Sequence, residues 1–143
     1  QKVSIHEESA KVPLIISVPG KKPAVCHSLS ELIDLYPTVS KLCGLKIPGN
    51  IQGKDISGML DDPAVKVRDA ALSSGKGRLL RTEKWALLDY GKKGELYDME
   101  NDPKQYDNLF GDSNYAEVLS DMKAKLKAKL NEIGKNDLNL NKL

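Results

Sequence analysis

The sequence is poor in the residue types that staple small folds or build common catalytic sites. Its 143 residues include two cysteines, two histidines, one tryptophan and one phenylalanine. Cys26 and Cys43 flank a predicted helix, so a disulfide would have to span that helix, and their spacing fits no metal site. We interpret both as small, partly buried thiols. A chain of this length can bury an apolar core without a disulfide or a metal staple.

Charge of one sign and long apolar runs are also absent. Lysine and arginine number 22 against 20 aspartates and glutamates, which leaves a net charge of +2. This balance does not favour nucleic-acid binding. No apolar run reaches the roughly 18 residues of a membrane span. We therefore expect neither a nucleic-acid nor a membrane partner.

The common motifs of enzyme sites are missing as well. There is no Gly-rich phosphate loop, no His-x-x-x-His, no Cys-x-x-Cys and no Gly-x-Ser-x-Gly. The adjacent carboxylates Glu7 and Glu8 point apart in an extended chain and are assigned to structure rather than to acid/base chemistry. Composition and spacing alone predict no active site.

The apolar pattern of the first half predicts one strand and one broken helix. Residues 12–18, "VPLIISV", form a continuous apolar run, which is typical of a strand buried on both faces. Ser28 and Glu31 have the spacing of a capping box, and Gly44 is a candidate C-cap. Pro37 lies inside the helical pattern, so we expect a break near Tyr36 and a second short helix after it. Residues 46–69 are predicted to be connecting structure with a helical turn near residues 56–60.

The second half changes to a period of two and then back to a helix. Short β-compatible segments at 70–74, 77–83, 84–90 and 94–100 are separated by turn residues, which predicts a four-stranded antiparallel meander. Residues 114–133 carry one apolar stripe at helical spacing, with Asn114 and Glu117 as a capping box. The sequence thus predicts an α+β chain: a strand and helix in residues 1–69, then a sheet with a C-terminal helix packed on it in residues 70–143.

Three stretches of the sequence resemble type I sulfatases, in the family's order and over nearly the whole chain. They are "KVSIHEESAKVPLIISVPG" at residues 2–20, "SLSELIDLYPTVSKLCGLKIP" at residues 28–48 followed by "IQGKDISGML", and "ELYDMENDPKQYDNL" at residues 95–109. The iduronate-sulfatase and choline-sulfatase-like branches look nearest. The resemblance implies the C-terminal part of an alkaline-phosphatase-like sulfatase, with residues 1–69 as the end of its catalytic domain and residues 70–143 as its C-terminal subdomain.

The resemblance also implies what this chain does not contain. The family's formylglycine is made from a Cys/Ser-x-Pro-x-Arg motif, but Cys26 is followed by His-Ser and Cys43 by Gly-Leu. The calcium ligands of the family likewise lie upstream of this segment. We therefore expect calcium and formylglycine in the intact parent, none bound by this chain, and no sulfatase activity in the chain alone. A periplasmic, secreted or lysosomal location follows from the family.

Two residues are candidates for the site of the parent enzyme. The family has a sulfate-binding lysine eleven positions before the Pro of its Val-Pro, and Lys2 stands eleven before Pro13. A fixed cation there would stabilise the negative charge that develops as a sulfate ester is cleaved. His6 lies in the same loop, where it either borders the substrate or is a plain surface histidine. Trp85 could line a sulfated-sugar cleft with Arg81 and Lys84, but a tryptophan in a small sheet is more often core beneath a helix.

Three functions remain open on the sequence. The first is a fragment of a sulfatase acting on sulfate esters, expected on carbohydrates, with a sulfated small molecule or glycan and the rest of the catalytic domain as partners. The second is a non-catalytic interaction module on the same scaffold. The third is a fragment of a related phosphodiesterase or phosphonate hydrolase. The strand at residues 12–18 is also expected to expose an unpaired edge through which copies of the chain associate.

Overall fold

The computed structural model describes residues 4–134. Three α-helices are present in this part of the chain: α1 at Glu7–Ala10, α2 at Leu35–Leu42 and α3 at Ala116–Gly134. Four strands lie between α2 and α3: β1 at Ala71–Ser74, β2 at Arg78–Arg81, β3 at Trp85–Asp89 and β4 at Gly94–Asp98. Short 3-10 turns occur at Leu32–Asp34, Ser57–Leu60 and Ser113–Tyr115. The predicted helical turn before residue 60 is therefore confirmed.

The four strands form one antiparallel meander in the order β1-β2-β3-β4, as the sequence predicted. Alternating side chains go to opposite faces of a strand, and here both faces are apolar. Leu79 and Leu88 lie on the face that we call face A, and Leu80 and Leu87 lie on the other, face B. All four leucines are buried. A sheet that is apolar on both sides must be covered twice.

Helix α3 covers face B. Met122 and Leu126 from the helix pack on Leu80, Leu87 and Leu96 in one buried cluster, which confirms the predicted helix across the sheet. Its start differs in detail. The side chain of Asp112 accepts a hydrogen bond from the Asn114 amide at 2.9 Å, and a 3-10 turn precedes the α-helix. The expected capping box of Asn114 and Glu117 is thus replaced by an Asp cap.

Trp85 belongs to the face B core. Its ring packs edge-on against Tyr115, with ring centroids 5.9 Å apart, and the side chain contacts the cluster under α3. Arg81 pairs with Ala86 on face A, whereas Trp85 pairs with Asp98 on face B. Tryptophan as core is therefore confirmed, and Arg81 and Trp85 do not line one cleft. Of the two cations proposed for that cleft, Lys84 lies near the indole, with its Nζ 5.4 Å from the centre of the Trp85 ring.

Face A is covered from the other end of the chain. Ile5 is buried among Leu79, Leu88 and Tyr97, and Ala10 packs against the same cluster. Residues 4–10 thus form the second layer that covers the sheet. Met99 continues this core just beyond β4, where its amide donates to the Lys84 carbonyl at 2.7 Å.

Residues 12–18 are not a strand, contrary to the prediction. No strand is assigned there, and Ile15 is 90% exposed. A backbone adopts the strand state by pairing with a neighbour, and nothing in the described residues pairs with this segment. Val12 and Leu14 are exposed as well, so the described part of the chain does not bury this apolar run.

Helix α2 is continuous through Pro37, so the predicted break is wrong. The helix begins at Leu35, which places Pro37 in the first turn, where its missing N–H has no intrahelical acceptor to lose. The capping box also differs from the prediction: Glu31 and Asp34 form it at the 3-10 turn Leu32–Asp34 that precedes α2, while Ser28 donates to the Val65 carbonyl at 2.8 Å. Gly44 at φ +68° ends the helix as predicted.

A buried ionic network joins α2 to the sheet. Arg68 donates to Glu31 at 2.6 Å and also pairs with Asp34, whose side chain is fully buried. Glu31 accepts a further hydrogen bond from the Leu72 amide at the start of the sheet, at 2.6 Å. Because this network and the contacts of residues 4–10 both cross position 69, the two predicted units touch extensively. The boundary between residues 69 and 70 stays a prediction.

Candidate functional site

The segment that carried both sequence candidates lies on face A of the sheet. Lys2 is outside the described residues. His6 is described, and it stands at the N-terminal end of α1 with about a third of its side chain exposed. The structure therefore tests the surroundings of His6 and the anchoring of the segment that follows Lys2.

His6 is held at both ring nitrogens. Its Nε2 lies 2.8 Å from Glu95 Oε2, and its Nδ1 lies 2.8 Å from Ser4 Oγ. An ionised carboxylate only accepts, so Nε2 carries the proton, and in a neutral ring Nδ1 then accepts from the Ser4 hydroxyl. The ring is consequently oriented by a partner 89 residues away in sequence. Both ring nitrogens of His6 therefore have partners within the described residues.

Glu95 is the centre of this cluster. Its Oε2 also accepts a hydrogen bond from the Tyr97 hydroxyl at 2.7 Å. Burial and this hydrogen bond to Glu95 raise the pKa of Tyr97 well above its ordinary value. The pKa of Tyr90 is raised too, by burial and by the negative charge of Glu95. Both phenols therefore stay neutral donors at any physiological pH.

Two further contacts fix the backbone of the segment. The Glu7 amide donates to Gln105 Oε1 at 2.8 Å, and the Glu7 carboxylate lies 3.4 Å from Arg81 Nε. Gln105 reaches α1 from a tight turn, where it has a positive φ of 61°. A left-handed backbone conformation is unfavourable for a residue other than glycine, so the turn that positions the Gln105 side chain is strained. Glu7 and Glu8 lie in the short helix α1 and not in an extended chain as expected, and the Glu7 carboxylate faces Arg81.

These contacts assign a role to the motif at residues 95–109. Glu95, Tyr97 and Gln105 all lie in it, and each touches or supports the N-terminal segment. The rest of the motif closes on β4: Asn108 accepts from the Leu96 amide at 3.1 Å, and the Leu109 amide donates to the Leu96 carbonyl. Two of the three stretches quoted from the sequence therefore form one structural unit.

Sequence reasoning missed Glu95 and Gln105 as partners of this segment. No local pattern links residues that are 89 and 98 positions apart. A signal was nevertheless available, because the family motif itself contains both positions.

Within residues 4–134, no group of three or more His, Cys, Asp or Glu side chains is arranged to hold a metal ion. Cys26 and Cys43 are free thiols; Cys26 is half-buried as predicted, whereas Cys43 is exposed, contrary to the prediction. The described helices include none that is both long and apolar enough to cross a membrane. The described residues thus form an anchored loop with a histidine held between Glu95 and Ser4.

The chain is similar to known proteins in both sequence and structure. Residues 1–132 match the family described as N-sulphoglucosamine sulphohydrolase, C-terminal. A Delta 4,5-hexuronate-2-O-sulfatase from Bacteroides thetaiotaomicron is 30% identical over 141 residues, which cover 87% of this chain and 29% of that protein. The crystal structure of another Bacteroides thetaiotaomicron protein, assigned as a sulfatase, matches 99% of the chain and 33% of its own, with a TM-score of 0.80 and 27% identity.

A phosphonate monoester hydrolase from Silicibacter pomeroyi has the same fold, with a TM-score of 0.67 at 21% identity over 79% of the chain. In every one of these matches the chain spans a third or less of the relative's length.

Proposed function

Since the chain belongs to the N-sulphoglucosamine sulphohydrolase C-terminal family, we propose that it is the C-terminal part of a sulfatase that hydrolyses sulfate esters of carbohydrates. Its own contribution to the reaction is to hold the segment that carries Lys2. The observation that supports this is the double anchoring of residues 4–10, through His6 to Glu95 and through Glu7 to Gln105. A catalytic cation stabilises a transition state only when its position is fixed in advance.

Lys2 would bind the sulfate group in the parent. Its ammonium would stabilise negative charge on the sulfate oxygens and on the leaving oxygen of the ester. His6, oriented by Glu95, would border the substrate and set the path of the chain that leads to Lys2. Ser4, the hydroxyl partner of His6, lies between the two in sequence.

The nucleophile and the metal would come from the upstream part of the parent. This sequence has no Cys/Ser-x-Pro-x-Arg motif, and residues 4–134 contain no cluster that fits calcium. Formylglycine would supply the attacking oxygen and calcium would stabilise sulfate charge. In this proposal both groups would be held by residues upstream of the chain.

The partner that covers residues 12–45 would be the same upstream part. Ile15, Val25, Leu32 and Leu45 are each more than 60% exposed, although such side chains favour burial. They lie in a part of the chain whose family position is the end of the catalytic domain. A periplasmic, secreted or lysosomal location is carried over from the family as part of the same proposal.

A phosphonate or phosphate ester is the second candidate substrate, since a phosphonate monoester hydrolase has the same fold. The carbohydrate sulfate is favoured because the relative at 30% identity is a hexuronate sulfatase by name. The third candidate is a non-catalytic interaction module. Such a module would keep the anchored loop, but Lys2 would have no role in catalysis.

The test compares the isolated chain, the full-length parent and parent variants in the hydrolysis of an aryl sulfate and an aryl phosphonate, with calcium supplied. We expect no turnover by the isolated chain. We expect Lys2→Ala to lower turnover by the parent about a hundredfold or more, and Lys2→Arg to recover little of it, because a planar fork does not replace a point charge. Lys127→Ala, on the exposed side of α3, is the matched control.

Preferential turnover of the phosphonate would favour the second candidate. A parent that hydrolyses neither ester would favour the interaction module. Full activity of Lys2→Ala would remove Lys2 from the site.

A further inference from the structure

The two turns of the meander that follow β1 and β3 lie at the same end of the sheet. Ser74, Arg78, Asp89 and Gly94 are aligned across the four strands in one row. Residues 75–77 and 90–93 project beyond this row as neighbouring turns. The side chains that these two short turns carry therefore lie at one end of the sheet, and we call this end the rim.

This rim is basic. Lys76, Arg78, Lys92 and Lys93 are all exposed, and we call them the basic rim. None of the four forms an ion pair with any residue between 4 and 134. Four uncompensated cations at one end of a small sheet create a local positive potential, even though the whole chain is nearly neutral.

The two carboxylates at this end are already engaged. Asp89 accepts from the Gly91 amide at 2.9 Å and shapes the turn. Glu95 points to face A, where it holds His6 and Tyr97. Neither forms an ion pair with a rim cation, so within residues 4–134 the four cations have no acidic partner.

The rim also borders the anchored N-terminal segment. A side chain on Gly75 would meet Ile5, with Cβ at 2.9 Å from Ile5 Cγ2, so the β1–β2 turn and residues 4–6 are in contact. Tyr90 lies over Gly77 between the two turns and is 39% exposed. The described chain therefore enters the fold beside the rim, two residues after Lys2.

We propose that the basic rim binds the sulfated polysaccharide chain that extends from the ester held at Lys2. The ligand class rests on the proposed function, whereas the site rests on the four unpaired cations and their position. Single exposed ion pairs are weak, so a small sulfated sugar would gain little here. A polymer with a sulfate or carboxylate on successive sugars engages several cations at once and gains through multivalency.

The experiment measures binding of dextran sulfate to the full 143-residue chain by isothermal titration calorimetry at several salt concentrations. Unsulfated dextran and a single-stranded DNA of equal charge are the comparison ligands. We expect dextran sulfate to bind, with an affinity that falls steeply as salt screens the charges. Unsulfated dextran should not bind, and the DNA should bind more weakly than dextran sulfate.

Two variants with the same loss of charge separate the rim from the general charge of the protein. The first replaces Lys76, Arg78, Lys92 and Lys93 by Gln, and should bind dextran sulfate about tenfold or more weakly. The second replaces four exposed lysines elsewhere by Gln, at positions 41, 46, 104 and 127, and should bind as the unaltered chain does. If the fourfold rim variant melts at a lower temperature than the unaltered chain, the double variant Lys92→Gln, Lys93→Gln is measured in its place.

Equal loss in the two fourfold variants would overturn the proposal, because the attraction would then be to the whole protein. Equal binding of DNA and dextran sulfate would overturn the assignment to a glycan. Since the readout is binding by this chain and not hydrolysis, a negative result leaves the sulfatase proposal to its own assay.

Discussion

The sheet with α3 and the segment from residue 11 to residue 45 use apolar side chains in opposite ways. In the sheet they are enclosed: Leu80, Leu87 and Leu96 have no exposed surface. In helix α2 the buried positions are Pro37, Thr38 and Ser40, while Val39 is 56% exposed. A surface helix that stands alone normally turns its apolar stripe inward. Residues 71–134 therefore bury their apolar side chains within the chain, whereas several in residues 11–45 stay exposed, which is the surface that the proposed upstream part would cover.

The ionic network around Arg68 is what joins the two regions, and breaking it should have the largest effect. Arg68→Met leaves the carboxylate of Asp34 buried and without its cation, which typically costs about 3–5 kcal/mol. Chemical denaturation of the chain, followed by circular dichroism, measures this loss. Lys66→Met removes a cation from an exposed pair with Glu83 and should cost less than about 1 kcal/mol. Equal losses would show that the network does not link the regions.

The enclosed core should be far more sensitive to truncation than the open surface. Leu126→Ala opens a cavity under α3 and should lower the free energy of unfolding by about 2–5 kcal/mol. Ile15→Ala changes a side chain that is 90% exposed and should change it by less than about 0.5 kcal/mol. Thermal melts of both variants suffice. A large effect of Ile15→Ala would mean that residues 11–45 are buried within the chain after all.

The open surface should make the isolated chain associate with itself. Exposed apolar patches and unpaired backbone both favour contact between copies. We expect light scattering to show dimers or larger species at high micromolar concentration. The double variant Ile15→Ser, Val39→Ser should shift the population towards monomer. A monomer at all concentrations would argue that this surface needs no cover.

The smallest effect concerns acid stability of the closed region. Burial acts to raise the pKa of Asp98, but hydrogen bonds from the Asn101 side chain and from two backbone amides, with Lys84 nearby, outweigh it and lower the pKa. A lowered pKa in the fold adds stability above the unfolded value of 3.8, and this stability is lost as the pH falls through the folded value. Asp98→Asn should therefore flatten the fall in melting temperature below about pH 4. An unchanged profile would assign the acid sensitivity to other carboxylates.

The two regions also differ in how far their structure could be predicted. The four strands were placed within two residues of their ends, because the apolar alternation and the Gly and Lys turns between strands are local signals. The prediction of a strand at residues 12–18 failed because strand formation depends on a pairing partner, and residues 4–134 provide none for this segment. The helix break predicted at Pro37 failed for another reason. The effect of a proline depends on whether it lies in the first turn of a helix or later, and the start of the helix was predicted too early in the sequence.

The candidate site was predictable only in part. His6 was singled out from its motif, but its role as a positioning residue depends on Glu95, which is 89 residues away. Contacts across such a separation leave no periodic trace in a single sequence. Lys2 rests on the family motif alone and remains a proposal.

The two covers of the sheet also set an order of folding. Helix α3 follows β4 closely, so face B can close through contacts between neighbours in sequence, which form fast. Face A closes only when residues 4–10 meet a hairpin about 90 residues later, and that contact must first overcome the entropy of a long loop. Residues 4–10 precede the meander in sequence, so they can pack on face A only after all four strands have been made. The segment next to Lys2 is thus among the last parts to become ordered.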